Sequence, residues 1–127
     1  MSAIPRPLLA GSVAAVLSGL PSTIHALATG RDLLATARAA ATLIPGQRGV
    51  LAGAAAHVAV SAVWVGVLAR IDRRHDLGVL GGAAAGAVIA ALDLGIAARR
   101  YPAVRDLPQL PQWLDHIAFG AIVGGLL

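Results

Sequence analysis

Four long apolar segments dominate this chain and restrict what it can fold into. They cover residues 7–28, 49–71, 77–98 and 111–127. A helix that crosses the hydrocarbon core of a bilayer needs roughly 20 mostly apolar residues, and the segments have about that length. A helix also satisfies its own backbone hydrogen bonds, as lipid requires. The sequence therefore predicts an all-α, transmembrane four-helix bundle that forms a single integral membrane domain over residues 1–127.

The composition agrees with a membrane protein. Of the 127 residues, 57% are hydrophobic and 13% are charged, and the mean hydropathy is +0.78. We therefore expect a multi-pass protein that contacts the lipid bilayer of the cell membrane. Abundant Ala and Gly, with Arg as the basic residue throughout, are typical of a high-GC genome, and we expect the bacterial inner membrane as the location.

The charged residues and the missing residue types exclude several functions. The ten arginines stand mainly at the ends of the apolar segments, where they anchor helices and meet lipid phosphates. No aromatic-rich basic stripe is present for stacking on bases, so no nucleic-acid partner is expected. The sequence has no Cys, which excludes disulfides, thiolate nucleophiles and thiolate metal sites.

The linker between the first two spans has a helical pattern of its own. Within residues 29–48, apolar residues recur at helical spacing at Leu33, Ala37, Ala41 and Ile44. We therefore predict a short interfacial helix, in the headgroup layer, between helices 1 and 2.

The other two connections are polar. Residues 72–76 are predicted to form a short charged turn, and residues 99–111 a linker that contains arginines and prolines.

The first segment contains two special features. Pro21 is predicted to kink it and to free backbone carbonyls nearby. The sequence Ala26-Leu27-Ala28 has the small-x-small form of a signal-peptidase site, so cleavage is an open alternative. We expect the segment to be retained, because it shares a residue pattern with the other three.

That pattern is a stripe of small residues that includes an ionisable group. In the second segment, Gly49, Gly53, His57 and Ser61 repeat every four residues. The other stripes are Gly11, Ser18 and His25; Gly82, Gly86, Ala90 and Asp93; and His116, Gly120 and Gly124. Such residues share one helix face, and small residues let helices approach closely in lipid. Each ionisable group is therefore predicted to lie on a packing face.

Connectivity predicts a common depth for these groups. With four spans, both long linkers lie on one membrane side. His25 lies about one turn from the first linker, His57 roughly 12 Å beyond it, and Asp93 roughly 9 Å before the second linker. Asp115 and His116 open the fourth helix. We predict that these five residues form a polar cluster in one leaflet, while the half of the bundle around Trp64 stays dry.

The cluster has several possible uses, which the sequence leaves open. Hydrocarbon penalises a central Asp by ~2.5–3.5 kcal/mol on insertion scales, so such groups usually serve a purpose. A structural role, in helix packing or as a subunit of a larger complex, is the leading hypothesis. The alternative is a proton- or ion-conducting protein, or one that binds a transition metal or haem. Binding of a lipid or a small amphiphile is also open. The candidate ligands or relay groups are His25, His57, Asp93 and His116.

Hydroxyl groups are predicted to support the cluster. They belong to Ser18, Ser22, Thr23 and Ser61. Together with the imidazoles and Asp93 they include the residue types of a hydrolytic triad, but no family motif accompanies them. We therefore assign no catalytic residues and favour a protein that is not an enzyme.

The sequence also bears on assembly and orientation. Small residues beyond those in the stripes, such as Gly81 and Gly95, favour a homo-oligomer or a larger membrane complex. The side with the two long linkers carries six arginines and the opposite side four. This difference favours cytoplasmic linkers, with dual topology as the alternative.

Three phrases resemble those of a known group of proteins. They are Pro21-Ser22-Thr23-Ile24-His25-Ala26-Leu27, Leu92-Asp93-Leu94-Gly95 and Asp115-His116-Ile117-Ala118-Phe119-Gly120. In these phrases the chain resembles small uncharacterised membrane proteins of high-GC bacteria, which implies four helices and no particular activity. In size it is also similar to the small multidrug transporters and the fluoride channels. It departs from both, because it has no Glu, no Asn and a single Phe, Phe119.

Overall fold

The computed structural model describes residues 3–127, and their regular structure is helical. The elements are α1 (Arg6–Leu17), α2 (Leu20–Thr29), α3 (Ala35–Ala41), α4 (Val50–His75), α5 (Gly78–Gly95), a 3₁₀ turn (Ala97–Arg100), α6 (Pro102–Arg105) and α7 (Gln109–Leu126). No strand occurs within residues 3–127, which confirms the all-α prediction.

Three helical stretches are long and apolar enough to cross a membrane. They are Arg6–Thr29, Val50–His75 and Gly78–Arg100. The fourth predicted span corresponds to α7, which has 18 residues and a polar first half that contains Gln112, Asp115 and His116. The protein is therefore all-helical with three candidate spans among its described residues, and the span by α7 stays a prediction.

Large apolar side chains cover the outside of the bundle. Val16, Leu51 and Leu80 are 77%, 87% and 85% exposed, although each lies within one of these three helical stretches. Water disfavours contiguous apolar surface of this kind, whereas lipid tails accommodate it. The surface therefore agrees with a protein that contacts the bilayer through its helices.

The first span is broken at Ser18–Gly19, which separates α1 from α2. The break lies just before Pro21, the residue at which the sequence predicts a kink. Proline lacks an N–H and its ring clashes with the carbonyl four residues earlier, so the disturbance falls on the preceding turn. The hydroxyls of Ser22 and Thr23 donate to the carbonyl of Gly19, at 3.2 and 2.8 Å.

Helices α5 and α7 pack backbone against backbone. A Cβ added to Gly82 or Gly86 would overlap the main chain of α7, and one added to Gly120 or Gly124 would overlap that of α5. Gly82 lies against Gly120 and Gly124, whereas Gly86 lies against His116, so the two helices run antiparallel. The prediction that these small residues form packing faces is confirmed.

An apolar core fills the end of the bundle where α1 begins and α7 ends. Its buried side chains are Ala10, Ala14, Val65, Leu68, Ile89, Phe119 and Val123. At this end the Nη1 atom of Arg6 donates to the main-chain oxygen of Leu127 at 3.2 Å. The start of α1 and the end of α7 therefore lie side by side.

The connections differ in part from the predicted ones. The charged turn predicted at residues 72–76 is wrong, because α4 continues to His75 and only Asp76 adopts the left-handed conformation that ends it. Basic residues in the last turn favour this extension, since they interact well with the carbonyl end of a helix. The predicted linker helix exists as α3, and its Ala37 carbonyl packs directly on Gly53 of α4. Its location in the headgroup layer stays a prediction.

Candidate functional site

A cavity of about 380 Å³ lies among α2, α3, α4, α5 and α7. Its polar wall consists of Ser18, Ser22, Thr23, Asp32, Thr36, His57, Ser61, Asp93, Gln112, Asp115 and His116. Apolar side chains that include Trp64, Ile89 and Phe119 complete it. The core on one side and α3 on the other thus leave a polar space between the helices.

Asp93 of α5 joins three helices. Its Oδ2 atom accepts a hydrogen bond from the indole Nε1 of Trp64 on α4, at 3.1 Å. The same oxygen lies 3.3 Å from Nε2 of His116 on α7. The Asp93 side chain is 27% exposed. The two contacts supply hydrogen bonds that water would otherwise make to its carboxylate.

The contact between Asp93 and His116 requires a proton. Nδ1 of His116 lies 2.8 Å from the main-chain oxygen of Gln112, and a carbonyl can only accept, so Nδ1 carries hydrogen. A hydrogen bond between Nε2 and Oδ2 then needs one more proton, on the ring or on the carboxyl group. The pair therefore consists of imidazolium and carboxylate, or of imidazole and carboxylic acid, and is neutral in both forms.

Asp115 of α7 caps the first turn of α2. Its Oδ1 atom accepts a hydrogen bond from the backbone N–H of Ser22 at 2.9 Å. The first N–H groups of a helix have no partner within that helix, and their positive end favours an anion. Because the chain breaks at Ser18–Gly19, α2 has such an exposed start inside the bundle, and Asp115 supplies the missing acceptor.

His57 of α4 binds the other side of the same break. Its Nε2 atom lies 3.0 Å from the main-chain oxygen of Ala15, which is in the last turn of α1. The last carbonyls of a helix lack intrahelical partners, so this oxygen can accept the imidazole N–H. His57 and Asp115 therefore stabilise the two ends created by one break.

A second cavity of about 280 Å³ adjoins the first. His25 lines this second cavity, together with Arg31 and Asp106. Thr36 and Gln112 line both cavities, and Nε2 of Gln112 donates to Oγ1 of Thr36 at 3.3 Å. This contact between α7 and α3 therefore stands where the two cavities meet.

The structure thus gathers most, but not all, of the predicted polar residues around one space. His57, Asp93, Asp115 and His116 line the first cavity, as do the four predicted hydroxyl residues. His25 lies apart from them. His25 lines the second cavity instead, and the break at Ser18–Gly19 interrupts the helix between Ser18 and His25.

Three polar contributors were not predicted from the sequence. Trp64 was expected in a dry half of the bundle, and this is wrong, because its indole binds Asp93. The sequence does contain an indication of this role, because Trp64 stands three residues after Ser61 and therefore lies on the same helix face. Gln112 stands four residues before His116 on one face of α7, whereas nothing in the local sequence of Thr36 indicates its role.

Within residues 3–127, no group of three or more His or Asp side chains is arranged to hold a metal ion. His57 and His116 each use one ring nitrogen on a backbone carbonyl. The predicted ligands therefore do not converge on a shared point in this arrangement.

Comparisons with protein-family models, with curated proteins and with solved structures found no match. The chemistry of the cavity wall is therefore the basis for proposing a function.

Proposed function

We propose that this chain is a four-span protein of the bacterial inner membrane whose Asp93–His116 pair takes up and releases a proton at a cavity between the helices. The three apolar helical stretches support the membrane location. The meeting of Arg6 and Leu127 supports four crossings, because an even number of spans brings both ends of the bundle to one side.

One observation carries the proposal, namely the proton that the Asp93–His116 contact requires. Imidazole is the side chain whose charge changes most readily near neutral pH. The pair lies in a cavity wall, so a proton has a route between the pair and the space beside it. Ionisable groups inside membrane proteins commonly form proton relays, since burying them otherwise costs free energy.

A structural role is the second candidate, and a specific observation favours it. Five polar contacts at the cavity join different helices: α4 to α5, α5 to α7, α7 to α2, α4 to α1, and α7 to α3. Hydrogen bonds between membrane helices contribute about 0.6–2 kcal/mol each. Five such contacts would fix the arrangement of the bundle without any transport.

Self-association belongs to the same proposal. Gly66 of α4 and Gly95 of α5 have no atoms within contact distance of an added Cβ, so a second helix has room to approach them. A homo-oligomer or a larger membrane complex would cover this small-residue surface.

The two candidate functions are separated by proton flux in proteoliposomes that contain a pH-sensitive dye. We expect the protein to carry protons when a potassium gradient with valinomycin sets the membrane potential. Asp93→Asn should reduce that flux at least about tenfold, because the amide cannot exchange the proton. Asp76→Asn is the matched control, since it makes the same change in the α4–α5 turn.

The same preparations also report on the structural candidate. If the unaltered protein shows no flux above empty liposomes, while Asp93→Ala lowers its unfolding temperature in detergent, the structural role replaces the proton-exchange role. Equal flux in the Asp93→Asn and Asp76→Asn variants would also overturn the proton-exchange role.

A further inference from the structure

The first cavity is acidic although the chain is basic. The protein has ten arginines and six aspartates. Three of the aspartates, Asp32, Asp93 and Asp115, line this cavity, whereas none of the arginines does. A carboxylate in a cavity wall attracts a positive charge beside it more strongly than a carboxylate in bulk water does, because less water screens it.

The three carboxylates differ in their partners. Asp32 pairs with Arg38. Asp93 has an imidazole partner, because its Oδ2 atom lies 3.3 Å from Nε2 of His116. Asp115 accepts the backbone N–H of Ser22, and among residues 3–127 no arginine forms an ion pair with it. Asp115 is therefore the one carboxylate of the three that forms an ion pair with neither an arginine nor an imidazole.

Two buried hydroxyls give an independent indication of a ligand. Ser18 and Ser61 are 4% and 7% exposed, and both line the cavity. Neither hydroxyl is hydrogen-bonded to another group among residues 3–127, in contrast to Ser22 and Thr23. Within residues 3–127 no fully buried side-chain oxygen lacks a partner, so these two oxygens open onto the cavity and can hydrogen-bond to a molecule there.

The rest of the wall suits a compact apolar body. Trp64 and Phe119 present aromatic surface, and Ile89 adds aliphatic surface. Aromatic faces attract cations, with Trp the strongest. A volume of about 380 Å³ is near the lower end of small-molecule sites, so the occupant is small.

We infer that the first cavity binds a small primary amine in its ammonium form, with Asp115 as the counter-ion and the apolar part of the amine against Trp64 and Phe119. The hydroxyls of Ser18 and Ser61 accept hydrogen bonds from the ammonium group. This inference goes beyond the proposed function, because binding depends on Asp115 and not on the proton of Asp93.

Fluorescence of Trp64 tests the inference directly. The chain has two tryptophans, so Trp113→Phe leaves Trp64 as the reporter in the cavity wall. Purified protein in detergent is titrated with 2-phenylethylammonium, and with 2-phenylethanol as an uncharged probe of nearly the same size. We expect a saturable change with the ammonium probe and only a gradual, non-saturating change with the alcohol.

Substitutions then locate the counter-ion. Asp115→Asn removes the charge but retains an oxygen that can accept the Ser22 N–H, and we expect about tenfold weaker binding. Asp115→Glu should retain binding, and Ser61→Ala should weaken it about threefold. Asp76→Asn is the control and should bind like the unaltered protein.

Several outcomes would overturn the inference. They are equal saturable binding of the alcohol, unchanged binding in Asp115→Asn, or binding that is lost in Asp93→Asn and retained in Asp115→Asn. If Asp115→Asn does not fold, the comparison of the two probes and the Ser61→Ala variant still decide the result.

The outcome is independent of the proton-flux experiment. Saturable amine binding without proton flux would overturn the proposed function alone. Proton flux without amine binding would overturn this inference alone.

Discussion

Helices α5 and α7 contact each other in two different ways along their length. In the half near Leu127, Gly82 and Gly86 face Gly120 and Gly124, and the two backbones touch. In the other half the contact is made by side chains, between Asp93 and His116. Glycine removes the volume that keeps helices apart, whereas an imidazole and a carboxylate maintain a separation that leaves room for a cavity.

The comparison shows how one helix pair can be both closely packed and open. Backbone contact in lipid gains dispersion energy and needs no polar group. In the cavity half the backbones of α5 and α7 do not pack in this way, and hydrogen bonds between side chains stabilise the contact instead. We therefore expect substitutions in the glycine half to affect stability more than substitutions around the cavity.

The largest effect is expected from Gly82→Ala. Its new methyl group would overlap the carbonyl oxygen of Gly120, and both backbones would have to move. We expect a loss of about 3 kcal/mol in the free energy of unfolding, at the upper end of typical overpacking costs. Thermal unfolding followed by circular dichroism in detergent micelles measures it.

Gly81→Ala is the matched control for that change. An added Cβ there meets only Leu77 side-chain atoms, at 3.4 Å or more. The substitution should be neutral or should stabilise the helix by up to about 1 kcal/mol, because Ala favours helix more than Gly. Equal destabilisation by the two variants would contradict close packing at Gly82.

A smaller effect is expected from His57→Leu in the cavity half. The variant loses the hydrogen bond to the Ala15 carbonyl, and we expect a cost of about 1 kcal/mol in the free energy of unfolding. His57→Gln keeps an N–H donor of similar reach and should recover part of that loss. Unchanged stability in His57→Leu would show that the break in the first span needs no partner from α4.

The smallest effect is expected from Thr36→Val. This variant keeps the shape of the side chain and removes the oxygen that accepts from Gln112. We expect a cost of about 0.5 kcal/mol, because Gln112 lines both cavities and a water molecule there can replace the lost acceptor. Thr36→Ser retains the hydroxyl and should differ little from the unaltered protein in the same unfolding measurement.

Local spacing was enough to predict much of the fold. The repeat of Gly120 and Gly124 after His116, and of Gly86 after Gly82, indicated which faces of α7 and α5 would pack. The apolar length of the first three segments indicated helices that can cross a membrane. Both features depend on residues within one or two turns of each other, which is why sequence alone reveals them.

The details of the site depend on contacts between distant parts of the chain. The spacing of residues along the sequence does not reveal such contacts. His25 follows the break at Ser18–Gly19, so the regular helical spacing that begins at Gly11 does not extend to it. The contact between Thr36 and Gln112 depends on how the linker folds back over the bundle. Trp64 lies on the same helix face as Ser61, but the depth argument placed it outside the polar cluster, whereas its indole binds Asp93.

The cap that Asp115 places on α2 has a consequence for how the protein is made. Ser22 and Asp115 are 93 residues apart in the chain. At a synthesis rate of about 5–20 residues per second, the acceptor emerges roughly 5–20 s after the N–H that it will bind. During that interval the start of α2 depends on water, which hydrocarbon does not supply. We therefore expect the broken first span to reach its final position in the bilayer only after the last helix has been synthesised.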